Sequence, residues 1–136
     1  MKNAIFLMLV LGFVSCAEKP MDVDQAKKVV EELITLTDKG DYEGIEKLYT
    51  PAFNQSEPME VKIEKLNRLK EMLGPVESVE FVNSTHVAEF GQPKAVMLEY
   101  KVHHSNVTTI EKFSVVEEEG GYRVSSHSVE TQQAQG

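Results

Sequence analysis

The hydrophobic period of this chain changes once, at Leu73-Gly74-Pro75, and that change constrains the fold more than any other feature. Upstream, apolar residues recur at helical spacing. Asp22 with Gln25 three residues on is a capping-box-like start, and Ala26, Val29, Val30, Leu33, Ile34 and Thr37 then fall on one helix face. Lys27, Lys28, Glu31, Glu32 and Asp38 face away, and Gly40 ends the helix. Asp41 caps a shorter second helix that presents Ile45, Leu48 and Tyr49 before Thr50-Pro51 stops it. After a loop through Phe53, Ser56-Glu57-Pro58 sets a proline near the first turn of a third helix. Met59, Ile63, Leu66, Leu69 and Leu73 form its buried stripe, and Gly74-Pro75 terminates it.

From Val76 onward the period is two. Val79 and Phe81 alternate with Glu80 and Val82 in a first strand, resumed at His86–Phe90. In a second strand Val96, Leu98, Tyr100 and Val102 share one face, with Met97, Glu99, Lys101 and His103 on the other. Val107–Glu117 is a third, with Glu111, Phe113 and Val115 on one side and Ile110, Lys112 and Ser114 on the other. Gly120-Gly121 is a hairpin signal, and Tyr122–Val129 is a fourth strand with Tyr122, Val124 and Ser126 on one face. Helices first and hairpin-connected strands afterwards make an α+β chain, in which a curled four-stranded antiparallel sheet wraps the N-terminal helices.

The first sixteen residues read as an address rather than as fold. Lys2 is a short positive region, and Ala4 to Val14 is an apolar run too short for a spanning helix, which needs about 20 residues. The run ends at Cys16, the only cysteine of the chain, so no disulfide forms within it. Leu11-Gly12-Phe13-Val14-Ser15-Cys16 resembles the lipobox of bacterial lipoproteins, with phenylalanine where leucine is commonest. That resemblance implies cleavage before Cys16 and a thiol carrying fatty acyl groups such as palmitate. Since one acyl chain alone binds membranes only marginally, the di- or triacylated cysteine it implies would supply the stable anchor. The competing reading is an ordinary secretory signal cut beside the Val14/Cys16 or Ser15/Ala17 pair. Residues 1–15 are thus expected to be signal peptide, 16–21 the lipidated cysteine and its tether, 22–130 one domain, and 131–136 a frayed polar tail. Ala17 after Cys16 suggests, by the sorting rule of Gram-negative lipoproteins, the periplasm-facing outer membrane.

Gly40-Asp41-Tyr42, Leu73-Gly74-Pro75, Glu99-Tyr100, Glu111-Lys112-Phe113 and Gly121-Tyr122-Arg123-Val124, in this order of elements, resemble small lipoproteins of the nuclear-transport-factor-2-like, cystatin-like superfamily. In enzymes of that superfamily, the cone between sheet and helices holds a pocket with one or two inward acids. The resemblance therefore points to Glu111 as the acid, with Tyr100, Phe113 and Tyr122 around it and His103 as a proton relay. A carboxylate in an apolar pocket has its pKa raised and serves as general acid or base. The plainer reading makes Glu111 a mid-sheet residue paired with Lys112 or Arg123.

Other motifs carry less. His103 and His104 are adjacent, so on a strand they point to opposite faces, and with no HExxH or CxxC no metal site is expected. Glu117-Glu118-Glu119 lacks the alternation of a calcium loop, the glycines are not spaced to cradle phosphate, and Ser125-Ser126-His127-Ser128 has no nucleophile-elbow context. No cofactor is expected. A formal net charge of −8 disfavours binding to nucleic acid and to anionic headgroups. The sequence expectation is therefore a lipid-anchored, non-catalytic binding protein of the cell envelope. Its partner is an envelope protein or a small apolar ligand, and the alternative is a cone-fold isomerase, dehydratase or hydrolase using Glu111. Val82, Ile110 and Val129 are the candidates for an outer apolar face through which the sheet could dimerise.

Overall fold

A computed structural model describes residues 20–118 and 120–132; the signal segment, Cys16 and residues 133–136 lie outside the described residues. Four helices precede four strands: α1 (Val23–Lys39), α2 (Tyr42–Glu46), α3 (Pro51–Gln55), α4 (Met59–Leu73), β1 (Val76–Val87), β2 (Ala95–His104), β3 (Thr108–Glu118) and β4 (Gly121–Thr131). The strands form one antiparallel sheet in the order β1-β2-β3-β4, each beside its sequence neighbour. This is the α+β architecture expected from the change of period.

Local chemistry sets the boundaries. The Asp22 carboxylate accepts from the amides of Asp24 and Gln25, and Gly40 closes α1 in the left-handed conformation, its amide turned back to Leu36 and Thr37. The segment expected as a loop through Phe53 is instead the helical turn α3. Thr50 caps it through Phe53 N, and Pro51 stands in the first turn, where its missing donor is harmless. Lys62 of α4 is buried because its ammonium donates to the carbonyls of Phe53 and Asn54, both at 3.3 Å, tying α4 to the end of α3.

The core lies between α1 and the inner sheet face. Ala26, Val30, Leu33 and Ile34 meet Val96, Leu98, Tyr100, Val102, Phe113, Val115 and Val124. The apolar stripe of α4 is less deeply covered than its spacing suggests. Leu73 is buried, but Met59, Ile63, Leu66 and Leu69 are only half-buried, which leaves a cleft between α4 and α1. β1 runs unbroken from Val76 to Val87 as an exposed edge, with register shifts between Val76 and Ser78 and between Phe81 and Asn83.

The alternation expected of β4 breaks at a bulge. Ser114 pairs with Ser126 and Val115 with Val124, so Ser125 is an extra residue on β4, its hydroxyl donating to Ser114 O at 3.2 Å. Tyr122 and Val124 face the core, as does His127, while Ser126 is exposed. On the outer edge at this point, Val124 N donates to Leu48 O and Thr50 N donates to Val124 O, docking residues 48–50 beside β4.

Candidate functional site

The α1–α4 cleft ends on a buried polar cluster. Its walls are Leu33 and Ile34 of α1, Leu66, Leu69 and Leu73 of α4, and Val76 at the start of β1, with Asp38 and Lys70 also lining it. Its cavity of about 60 Å³ reaches down to His104, Glu111 and His127. Three different strands supply these groups. His104 ends β2, Glu111 is in the middle of β3, and His127 is on β4 beyond the bulge.

Glu111 is 6% exposed, and both of its oxygens are engaged. Oε1 lies 2.9 Å from His127 Nε2; Oε2 accepts from the Thr109 hydroxyl at 2.8 Å and lies 3.5 Å from His104 Nε2. Burial alone pushes the Glu111 carboxyl up. The His127 hydrogen bond and charge, the Thr109 hydrogen bond and the His104 charge outweigh it, so the group is held below the usual carboxylate value and is an anion.

The imidazoles are tied down as well. His104 Nδ1 is 3.2 Å from the carbonyl of Gly74 and its Nε2 is 3.2 Å from Thr109 Oγ1. A carbonyl only accepts, so His104 Nδ1–H donates to Gly74 O. His127 Nδ1 is 3.4 Å from the Tyr49 hydroxyl, and its ring stacks on Phe113 with centroids 4.1 Å apart. The Tyr49 hydroxyl stays protonated, since burial and then the Glu111 charge push its pKa up, and it faces Nδ1 while Nε2–H donates to Glu111.

The structure sorts the residues singled out from sequence. Glu111 lines the cleft, and Phe113 lies behind it, supporting His127. Tyr100 pairs with Glu111 across β2 and β3 but does not line the cleft; its hydroxyl is buried without a partner among the described residues, its ring edge-on to Phe81 and Phe113. Tyr122 stands at the opposite end of the sheet, where its hydroxyl accepts from Asp22 N at 2.7 Å. His103 is on the outer face beside Thr108 and Glu80. Neither expected cation meets Glu111: Lys112 pairs with Glu99 at 3.8 Å on the outer face, and Arg123 sits opposite Val116. Val129 shares the inner face with its partner Glu111, so it does not join Val82 and Ile110 in one patch.

The two histidines that do meet Glu111 are not ones the sequence assigns to it. His104 was reachable, because it continues the inner phase of Leu98, Tyr100 and Val102. His127 was not, because strict alternation from Tyr122 puts it outside, and only the Ser125 bulge re-aims it. The two rings address opposite oxygens of one carboxylate as hydrogen-bond partners, and no group of three or more ligating side chains among the described residues could hold a metal ion.

No family model matches the chain, and no curated protein sequence does. Solved structures do. Bd1075 of Bdellovibrio bacteriovorus superposes with a TM-score of 0.54 at 11% identity, covering 82% of this chain and 41% of that one. This chain therefore spans less than half of that relative. The beta subunit of benzoate 1,2-dioxygenase from Burkholderia mallei superposes with a TM-score of 0.51 at 10% identity, covering 84% of this chain and 93% of the subunit. Likeness at this identity speaks for architecture alone: helices on a curled four-stranded antiparallel sheet, the nuclear-transport-factor-2-like cone.

Proposed function

We propose that this chain is a lipid-anchored protein of the cell envelope whose cone binds a small, largely apolar ligand in the α1–α4 cleft without transforming it. One observation carries this reading: an apolar-walled cleft whose polar floor is already satisfied from within. Glu111 has a partner on each oxygen and His127 one on each nitrogen, so these groups are held in place by one another rather than left open for a substrate. The carboxyl is held low rather than raised, which suits a fixed anion better than a general acid. The cavity of about 60 Å³ is smaller than a pocket for a whole ligand, about 300–1,000 Å³, so it takes the end of a longer ligand. The envelope address rests on the lipobox-like segment ending at Cys16.

The test is titration with the fluorescent apolar probe N-phenyl-1-naphthylamine. Binding should be saturable and should be lost in Leu66→Arg, which puts a charge on the cleft wall, while circular dichroism shows the fold retained. Unchanged affinity in that variant would reject the cleft as the site. The anchor is read separately, as acyl mass on the N-terminal peptide from the membrane fraction.

The His127–Glu111 pair at 2.9 Å favours the enzymatic alternative, since a carboxylate-oriented imidazole is a component of many acid–base sites. It requires Tyr49 to give up His127 Nδ1 to a substrate. Turnover of a small carbonyl or ester compound, abolished by Glu111→Gln, would establish it in place of simple binding.

A further inference from the structure

The end of the sheet opposite the cleft carries an exposed aromatic tip. Residues 88–94 join β1 to β2, and within them Phe90 is fully exposed, at 108% of its reference area, the most exposed large apolar side chain described. Gly91 follows in the left-handed conformation and Pro93 shortly after, so the tip is a tight turn presenting one ring outward. An isolated aromatic in water at a loop tip has no folding role here, since it touches none of the core.

The N-terminal chain emerges at that same end. Pro20 and Met21 line one surface groove with His86, Val87, Ala88 and Ala95, at the base of the β1–β2 hairpin. The bond from Asp22 N to the Tyr122 hydroxyl pins the start of α1 beside the β3–β4 turn, which lies at this end too. Cys16 stands four residues before Pro20, and four residues reach at most about 14 Å. A bilayer holding an acylated Cys16 would thus lie within that reach of Pro20, at the end of the sheet that carries Phe90.

We infer that the β1–β2 hairpin is a second membrane contact: with Cys16 acylated, Phe90 inserts into the lipid headgroup boundary and fixes the orientation of the domain on the bilayer. This rests on the lipid-anchored reading above. Tethering removes most of the entropic cost of that second contact, so a single ring suffices where it would not hold a free protein. The cleft then faces away. His104 at the cleft and Ala95 at the hairpin are the two ends of β2, about 30 Å apart at strand rise. Glu89, Glu117 and Glu118 at this end are set against Lys94 and Arg123, which leaves no cationic excess, so insertion is apolar and needs no anionic lipid.

The chain has no tryptophan, so Phe90→Trp gives a single reporter. The full chain carrying this substitution is purified from membranes and reconstituted into phosphatidylcholine vesicles, and the N-terminal mass is read on the same preparation. Blue-shifted emission, quenched by brominated phosphatidylcholine with no anionic lipid present, supports the contact. Met72→Trp, exposed at the far end, should remain unquenched. Acyl mass present with the Phe90→Trp indole still in water overturns the hairpin contact and leaves the anchor standing. Acyl mass absent, with no flotation on vesicles, overturns both.

Discussion

His127→Phe is the perturbation that best isolates the polar floor. A phenyl ring keeps the stack on Phe113, so the volume and the aromatic contact survive. The bond to Glu111 at 2.9 Å and the contact with Tyr49 at 3.4 Å are removed. Breaking a buried ion pair by deleting one partner costs about 3–5 kcal/mol. The two side chains are 14% and 8% exposed, Oε2 keeps Thr109, and cleft water can reach Oε1, so the loss should fall at the low end, about 3 kcal/mol. Urea unfolding followed by circular dichroism at neutral pH measures it. The acid dependence should also weaken. In the wild type the Glu111 carboxyl is held below its ordinary value of 4.5, so its stabilisation is complete above that value and is lost as pH falls through the lower folded one. Without His127, burial is opposed only by Thr109 and His104, so the carboxyl rises from its wild-type value. The variant should therefore lose less stability than the wild type as pH falls. Adding Glu111→Leu should restore much of the loss, because an apolar pair of similar volume replaces an ionic one at little cost. A loss below about 1 kcal/mol in the single variant, with no coupling in the cycle, would refute the claim that this pair holds the floor.

Two further perturbations test the frame around the floor. Gly74→Ala should cost about 2 kcal/mol and lower the melting temperature by about 8 °C, because Gly74 sits at φ 81° and an added Cβ would approach Ser105 Oγ to 2.0 Å; differential scanning calorimetry reads it, and an unchanged melting temperature would contradict the assigned backbone. Deleting Ser125 removes the bulge and forces either His127 or the Tyr122–Val124 pair off the inner face, so urea unfolding should show a loss of at least about 3 kcal/mol. A deletion that folds with wild-type stability would show that the extra residue does not set the register.

The element order was legible because hydrophobic period is a local property. Ala26, Val30, Leu33 and Ile34 spell one helix face, Leu98, Tyr100 and Val102 spell one strand face, and Asp22, Gly40 and Gly74 mark boundaries through capping and backbone freedom. The short turn Pro51–Gln55 escaped because five residues carry no periodic signal. Glu111 was legible as an inward acid, but its neighbours were not, since a carboxylate on an inner face says nothing about which side chain reaches it from two strands away.

Sequence alone thus determined the α+β class, the strand phases up to β3 and the inward placement of Glu111. Tertiary structure alone decided that the acid meets imidazoles rather than Lys112 or Arg123, and that the cleft lies at the end of the cone away from the N-terminal chain. The physical reason is register. A one-residue bulge at Ser125 exchanges the two faces of a strand, and that choice is made by pairing with β3 and with residues 48–50, which no local window contains.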